Sequence, residues 1–282
     1  MARAPVLPAP RIARRVSGTA SAARMVPQET PVAFSYGGTT HAVMMATPAD
    51  LDDFALGFSL TEGVVATPAE IVSITVEETG AGIDVQVALA DEAGARFSVR
   101  RRHLAGPVGC GLCGIESIEE ALRRPRDVRK SSLMLSAVDI ARAVALLAER
   151  QALHAQTGAV HAAGFYVPGR GIVAAREDVG RHNALDKLAG ALARAGIDGA
   201  AGAVVVTSRV SVEMVQKAAA IGAGAILAVS APTALAIAMA EEAGMMLVAL
   251  VRGEEFDVFT HAGRLADKDA DGDAKGDARN VA

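Results

Sequence analysis

The first half of the chain is a series of short runs in which apolar and polar residues alternate, the period of strands with one buried face. Residues 31–36 and 39–45, joined by Gly37-Gly38, predict a hairpin. Thr47-Pro48 then opens a predicted helix through Leu51, Phe54, Ala55 and Phe58 that ends near Gly63, and further strands are expected at 71–76, 83–89 and 96–99. This half ends on Gly109-Cys110-Gly-Leu-Cys113-Gly114, followed by Ile115, Ile118 and Leu122 at helical spacing until Pro125 stops the run.

From Ser136 the rhythm changes. A helix over 137–153 and strands over 158–167 and 171–175 lead into alternation: helix 183–195, strand 203–207, helix 211–221, strand 225–229, helix 233–243, then strands 246–251 and 255–260. Short apolar strands between helices predict a central sheet covered on both faces, whose ligands sit where strand ends meet helix starts. The expected fold class is α/β (α+β overall). A β-rich N-terminal domain over 27–130 carries the cysteine loop, and a three-layer α/β domain spans 131–265. Residues 1–26 hold Arg3, Arg11, Arg14, Arg15 and Arg24 with no acidic residue and read as a disordered basic arm. Residues 266–282, where aspartates alternate with Ala, Gly and Lys, read as a disordered tail.

Composition narrows the partners. Against 32 acidic side chains stand 28 basic ones, and the net charge of −4 gives no overall field toward nucleic acid or membrane. Two cysteines in 282 residues do not make a disulfide framework, and the start of the chain lacks an apolar secretory core, so a reducing cytoplasm is expected. Arg14-Arg15 is followed by small residues and not by the apolar stretch of an export signal. Residues 218–240 carry no charge, but Ser230-Ala-Pro232-Thr233 interrupts a run of mostly alanine and glycine. They predict a helix end, a buried strand and a new helix, not a membrane span.

The candidate chemistry begins at the cysteines. A thiol at a helix N-terminus feels the positive end of the macrodipole and unpaired N–H groups, both favouring thiolate, while Glu116 opposes them. With glycines leaving the sulfurs uncovered, Cys110 and Cys113 predict a modestly activated nucleophile on an exposed turn. Zinc would need two further ligands from histidines, so no permanently bound metal is expected. The densest polar run, Arg176-Glu-Asp-Val-Gly-Arg-His-Asn-Ala-Leu-Asp-Lys187, follows an apolar strand. Asn183 and Asp186 resemble a capping box, and Arg181, His182 and Lys187 beside a helix start suit an anion such as phosphate. The bland alternative is a surface helix with ordinary salt bridges. Thr207-Ser208-Arg209-Val-Ser211 and Ser230-Ala-Pro-Thr233 are two more strand-to-helix turns that could line the same crevice. There Arg209 lies between two hydroxyls, Ser211 reads as an N-cap, and Glu213 with Lys217 as an i,i+4 pair. His161 and His261, at strand ends, are open candidates.

Several of these stretches, in order, resemble the FdhD/NarQ family, the formate dehydrogenase accessory sulfurtransferases. They are Met45-Ala-Thr-Pro-Ala-Asp50, Gly57-Phe58 with Glu62-Gly63, Cys110-Gly-Leu-Cys-Gly114, Thr157-Gly158 with His161, the 176–187 run, Ser208-Arg209 with Glu213 and Lys217, Ala231-Pro-Thr233, and Phe256 through His261. The resemblance implies a cytoplasmic sulfur carrier. It would take persulfide sulfur from a cysteine desulfurase and deliver it to the molybdenum bis(molybdopterin guanine dinucleotide) cofactor destined for formate dehydrogenase. The family's persulfide position matches Cys110 and its second cysteine Cys113; its cofactor-binding segment matches Phe256, Asp257, Val258, Phe259, Thr260 and His261. The resemblance further implies pairing as a homodimer and a second domain similar to the cytidine deaminase fold, without the deaminase zinc motif, since Ala162-Ala163 follows His161. On this reading Arg181, His182, Arg209 and Thr233 hold phosphate or guanine edges while Cys110 faces the metal. The alternative is a non-catalytic chaperone that binds the cofactor and docks the dehydrogenase; only the carrier requires a persulfide on Cys110.

Overall fold

The computed structural model describes residues 3–104 and 123–266. Cys110, Cys113 and the helix expected after them lie outside the described residues, as does the tail from 267. The basic arm expected to be disordered is instead an antiparallel ribbon of β1 (Val6–Arg15) and β2 (Gly18–Pro27), paired without a break from Val6–Pro27 to Arg15–Gly18. Its composition signalled disorder, but a continuous backbone ladder does not depend on strand-forming side chains.

The alternating runs that follow form β3 (Thr30–Tyr36), β4 (Thr39–Ala46), β5 (Ile71–Glu78) and β6 (Ile83–Leu89), a four-stranded sheet in the order β4-β3-β6-β5. Helix α1 (Leu51–Thr61) packs on it through aromatic rings: Phe34 meets Phe54 edge-on at 4.8 Å and stacks on Phe58 at 4.6 Å. The strand expected at 96–99 is part of α2 (Asp91–Leu104). Ala93 and Phe97, four residues apart, are both buried, and Asp91 and Glu92 sit in the first turn, so the helical period outweighs a brief alternation.

The second half forms β7 (His161–Val167), β8 (Gly171–Asp178), β9 (Ala203–Val206), β10 (Ala225–Ala228), β11 (Met246–Arg252) and β12 (Glu255–Thr260). They make one six-stranded sheet in the order β12-β11-β10-β9-β7-β8. Strands β8 to β11 point the same way, and β7 and β12 run against them. The helix expected over 137–153 is two, α3 (Ala137–Ala148), opened by a Ser136–Asp139 capping box, and α4 (Ala152–Thr157). Helices α5 (Arg181–Arg194), α6 (Val212–Ile221) and α7 (Ala234–Ala243) cover the face that buries Phe165, Val204 and Ile226's cluster; α3 covers the other, around Ile140, Leu147 and Tyr166. The uncharged stretch 218–240 is divided among α6, β10 and α7, and no helix among the described residues is long and apolar enough to cross a membrane.

Helix α1 also packs on α5, joining the two halves. The approach is close: a Cβ on Gly57 would fall 1.7 Å from the Asp186 carbonyl oxygen, and one on Gly190 would fall 1.9 Å from that of Asp53. Only glycine at both positions permits this crossing.

Candidate functional site

Because β8, β9 and β10 are co-directional, their C-terminal ends lie on one edge of the sheet, where α5, α6 and α7 begin. Hydrogen bonds join the three turns into a row. His182 Nε2 lies 3.4 Å from Ser211 Oγ and 2.9 Å from Glu213 Oε2; Val210 N donates to Ala231 O at 3.3 Å and Thr233 N to Val210 O at 3.0 Å. The three turns that carry Arg181, His182, Arg209 and Thr233 thus lie along one edge of the sheet. Thr233 caps α7, its side chain accepting from Ala236 N. Arg209 is exposed, and Arg181 Nε is buried without an acceptor among the described residues. His161 opens β7 on the same edge, and burial, then the positive Arg181 guanidinium, push its imidazole below the ordinary histidine value.

Most of the dense polar run has another use. Asn183 does not cap α5 but lies within it, its Nδ2 donating to Met45 O and to Asp178 Oδ1; Gly180 is the N-cap. Lys187, expected near an anion, is fully buried and donates to Asp178 Oδ2 at 2.6 Å and Thr47 O at 2.9 Å. Asp178 also accepts from Thr47 N and Gly180 N. Asp53 binds Arg176 and Arg194, and Glu177 accepts from the N–H groups of Leu153 and His154 at the start of α4. The contacts of Asn183, Lys187, Asp178, Arg176 and Arg194 with Met45, Thr47 and Asp53 bolt the 45–53 stretch of the first half onto the second.

The expected Glu213–Lys217 pair is likewise replaced by long-range partners. Lys217 donates to both carboxylate oxygens of Asp186, at 2.8 and 2.9 Å, to Glu62 and to Thr61 Oγ1. Burial alone would lower the Lys217 ammonium, but Asp186 and Glu62 outweigh it and hold the group above the usual lysine value. Burial lifts the Asp186 carboxyl above its ordinary value, against the opposing pull of the Lys217 ammonium that donates to both of its oxygens. Lys217 lies at the base of a cleft of about 150 Å³ walled by Met44, Phe58, Glu62, His182, Glu213 and Arg123. Arg123, the first residue described after the cysteine-bearing segment, is fixed there by donating to the carbonyls of Thr61 and Glu62. Sequence reasoning missed this cleft, although Glu62, Glu213 and Lys217 were visible as polar residues at the edges of apolar runs.

The Glu213 carboxyl is held down to about 2, chiefly by the hydrogen bond from His182. A depressed carboxyl stabilises the fold above its unfolded value, 4.5, and that contribution is lost as the pH falls toward 2. His182→Ala is therefore expected to flatten the fall in urea midpoint across this window; an acid limb as steep as in the unsubstituted chain counts against the pair.

The other expected cofactor segment is not gathered into this row. Phe256 to His261 run along β12, the outermost strand, five strand spacings or roughly 24 Å from β8. Phe256 and Val258 pack on the core beneath α3, Asp257 and Phe259 are exposed, and Thr260 is buried, donating to Met245 O. His261 stands at the opposite edge of the sheet, Nε2 3.0 Å from Glu241 O at the end of α7.

Residues 27–266 match the model of the FdhD/NarQ family. The chain is 58% identical over 255 residues to "Sulfur carrier protein FdhD" of Agrobacterium fabrum, covering 90% of this chain and 94% of the relative. It is 56% identical over 256 residues to the protein of that name from Brucella abortus, covering 91% and 95%. A solved structure of a candidate formate dehydrogenase accessory protein from Desulfotalea psychrophila superposes with a TM-score of 0.74 at 26% identity, over 93% of this chain and 99% of that one. The matched span holds the Cys110-x-x-Cys113 motif, the buried ion pairs and the row of helix starts, and the chain belongs to the FdhD/NarQ family.

Proposed function

We propose that this protein is a cytoplasmic sulfur carrier serving formate dehydrogenase. The observation that carries the reading is the family match at 58% identity to a protein named as a sulfur carrier, across a span that includes both cysteines. The Cys110 thiolate attacks the outer sulfur of a desulfurase persulfide; the donor S–S bond breaks, the desulfurase cysteine leaves as thiolate, and Cys110 keeps the sulfur as its own persulfide. Delivery of that sulfur as sulfide takes two electrons. Cys113 supplies them when its thiolate attacks the inner Cys110 sulfur, closing a Cys110–Cys113 disulfide and releasing hydrosulfide to the molybdenum bis(molybdopterin guanine dinucleotide) cargo. Arg181, His182, Arg209 and the start of α7 at Thr233 face that cargo's phosphates and guanine edges, with Asp257 and Phe259 as a second contact region, and the working unit is a homodimer.

The test is mass spectrometry after incubation with a cysteine desulfurase and cysteine. An adduct of one sulfur atom is expected on the unsubstituted chain and on Cys113→Ala, and none on Cys110→Ala. An adduct that survives Cys110→Ala removes Cys110 as the carrier, and no adduct on any form leaves only a cofactor-binding chaperone. In parallel, Arg181→Glu and Arg209→Glu are each expected to weaken GDP binding about tenfold or more, since a charged hydrogen bond is worth about 1.5–3 kcal/mol; unchanged affinity sinks their assignment.

A further inference from the structure

We propose that the β1–β2 ribbon is an arm that clasps a second copy of this chain, an inference resting on the homodimer in the preceding section. The ribbon is fastened at its root, where Arg3 N donates to Glu78 Oε1 at 3.0 Å and Arg24 Nη2 to Thr157 O at 2.9 Å. Arg24 pairs with Ala9, so six pairs, Pro10–Ala23 to Arg15–Gly18, extend beyond this anchor over roughly 20 Å. A two-stranded ribbon standing alone in water is marginal.

Its register makes it two-faced. Pro8, Pro10 and Ile12 lie opposite Met25, Ala23 and Ser21, so one face is apolar, and Ile12 on it is 77% exposed. A groove of about 660 Å³ runs along these residues, while Arg11 projects to the opposite face of the ribbon, where its Nε is shielded from solvent without an acceptor among the described residues.

Charge selects the occupant. Residues 1–28 carry five arginines and no acidic side chain, so with a net of −4 overall the remaining residues carry −4 − 5 = −9. The arm of one copy is thus attracted to the body of another, while arm-to-arm contact is opposed. An apolar face rimmed by arginines then excludes water once the charges have brought the copies together.

Light scattering on the full chain tests this. The unsubstituted protein is expected at twice the 28.8 kDa chain mass. Two full-chain variants, Ile12→Glu with Met25→Glu and Arg11→Glu with Arg14→Glu, are expected to raise the dimer dissociation constant about tenfold or more, with far-UV circular dichroism unchanged. A dimer whose dissociation neither variant alters leaves the homodimer standing and overturns the arm. A monomeric unsubstituted chain overturns both, and one that gains mass only with purified desulfurase or formate dehydrogenase assigns the ribbon to that partner instead.

Discussion

Asp178→Ala is expected to lower the unfolding free energy by about 3–5 kcal/mol, the cost of stripping the partner from a buried charge. The Lys187 ammonium would be left fully buried beside the Phe54 ring, with only the Thr47 carbonyl to accept from it. The N–H groups of Thr47 and Gly180 and the amide of Asn183 would lose their acceptor as well. Since the chain has no tryptophan, the measurement is urea unfolding followed by far-UV circular dichroism. Adding Lys187→Met to Asp178→Leu removes both charges and is expected to recover part of the loss, because a buried pair is weak in net terms while half a pair is strongly unfavourable. The recovery stops short of complete, since three neutral donors remain unpaired. If the single variant unfolds at the same midpoint as the unsubstituted chain, the pair does not fasten the 45–53 stretch to α5.

Gly57→Ala is expected to be nearly as damaging, by about 3 kcal/mol or more, above the usual cost of overpacking because the obstructing atom is backbone. The new methyl would overlap the Asp186 carbonyl, and a peptide group in the middle of α5 cannot rotate away as a side chain would. The helices must separate, which carries Phe58 and Glu62 away from Lys217 and opens the cleft they wall. The variant should therefore lose stability and the Glu62–Lys217 contact together, and Gly190→Ala should behave alike from the opposite side of the crossing. An unchanged midpoint for both would mean that the helices can part without penalty.

How much of this was legible beforehand differs by kind of feature. Strands β6, β11 and β12 and the change of rhythm at Ser136 follow directly from local periodicity, as does the helix start at Ser211. Local patterns failed where two periods compete, as at Phe97, or where pairing partners are remote, as in the β1–β2 ribbon. The site shows the same division. The three strand-to-helix turns could be located one by one, and the sheet's parallel strands then had to bring them to one edge. What a charged side chain does there could not be read from its neighbours in sequence. Glu213 and Lys217 are four apart on one helix, yet one pairs with His182 and the other with Asp186 and Glu62.

The sequence by itself determined most of the strands and helices from residue 30 onward, their order, and the family, because side-chain period, caps and glycine turns are set by residues within a few positions of one another. Only the tertiary structure decided which of seven ionisable residues between Arg176 and Lys187 remain outward. Arg176, Glu177, Asp178, Asp186 and Lys187 are consumed by partners as far as 140 residues away, and Arg181 and His182 are left at the edge where α5 begins. The reason is physical: a charge survives burial only beside its counter-charge, and the counter-charge is chosen by how α1, α5 and α6 cross.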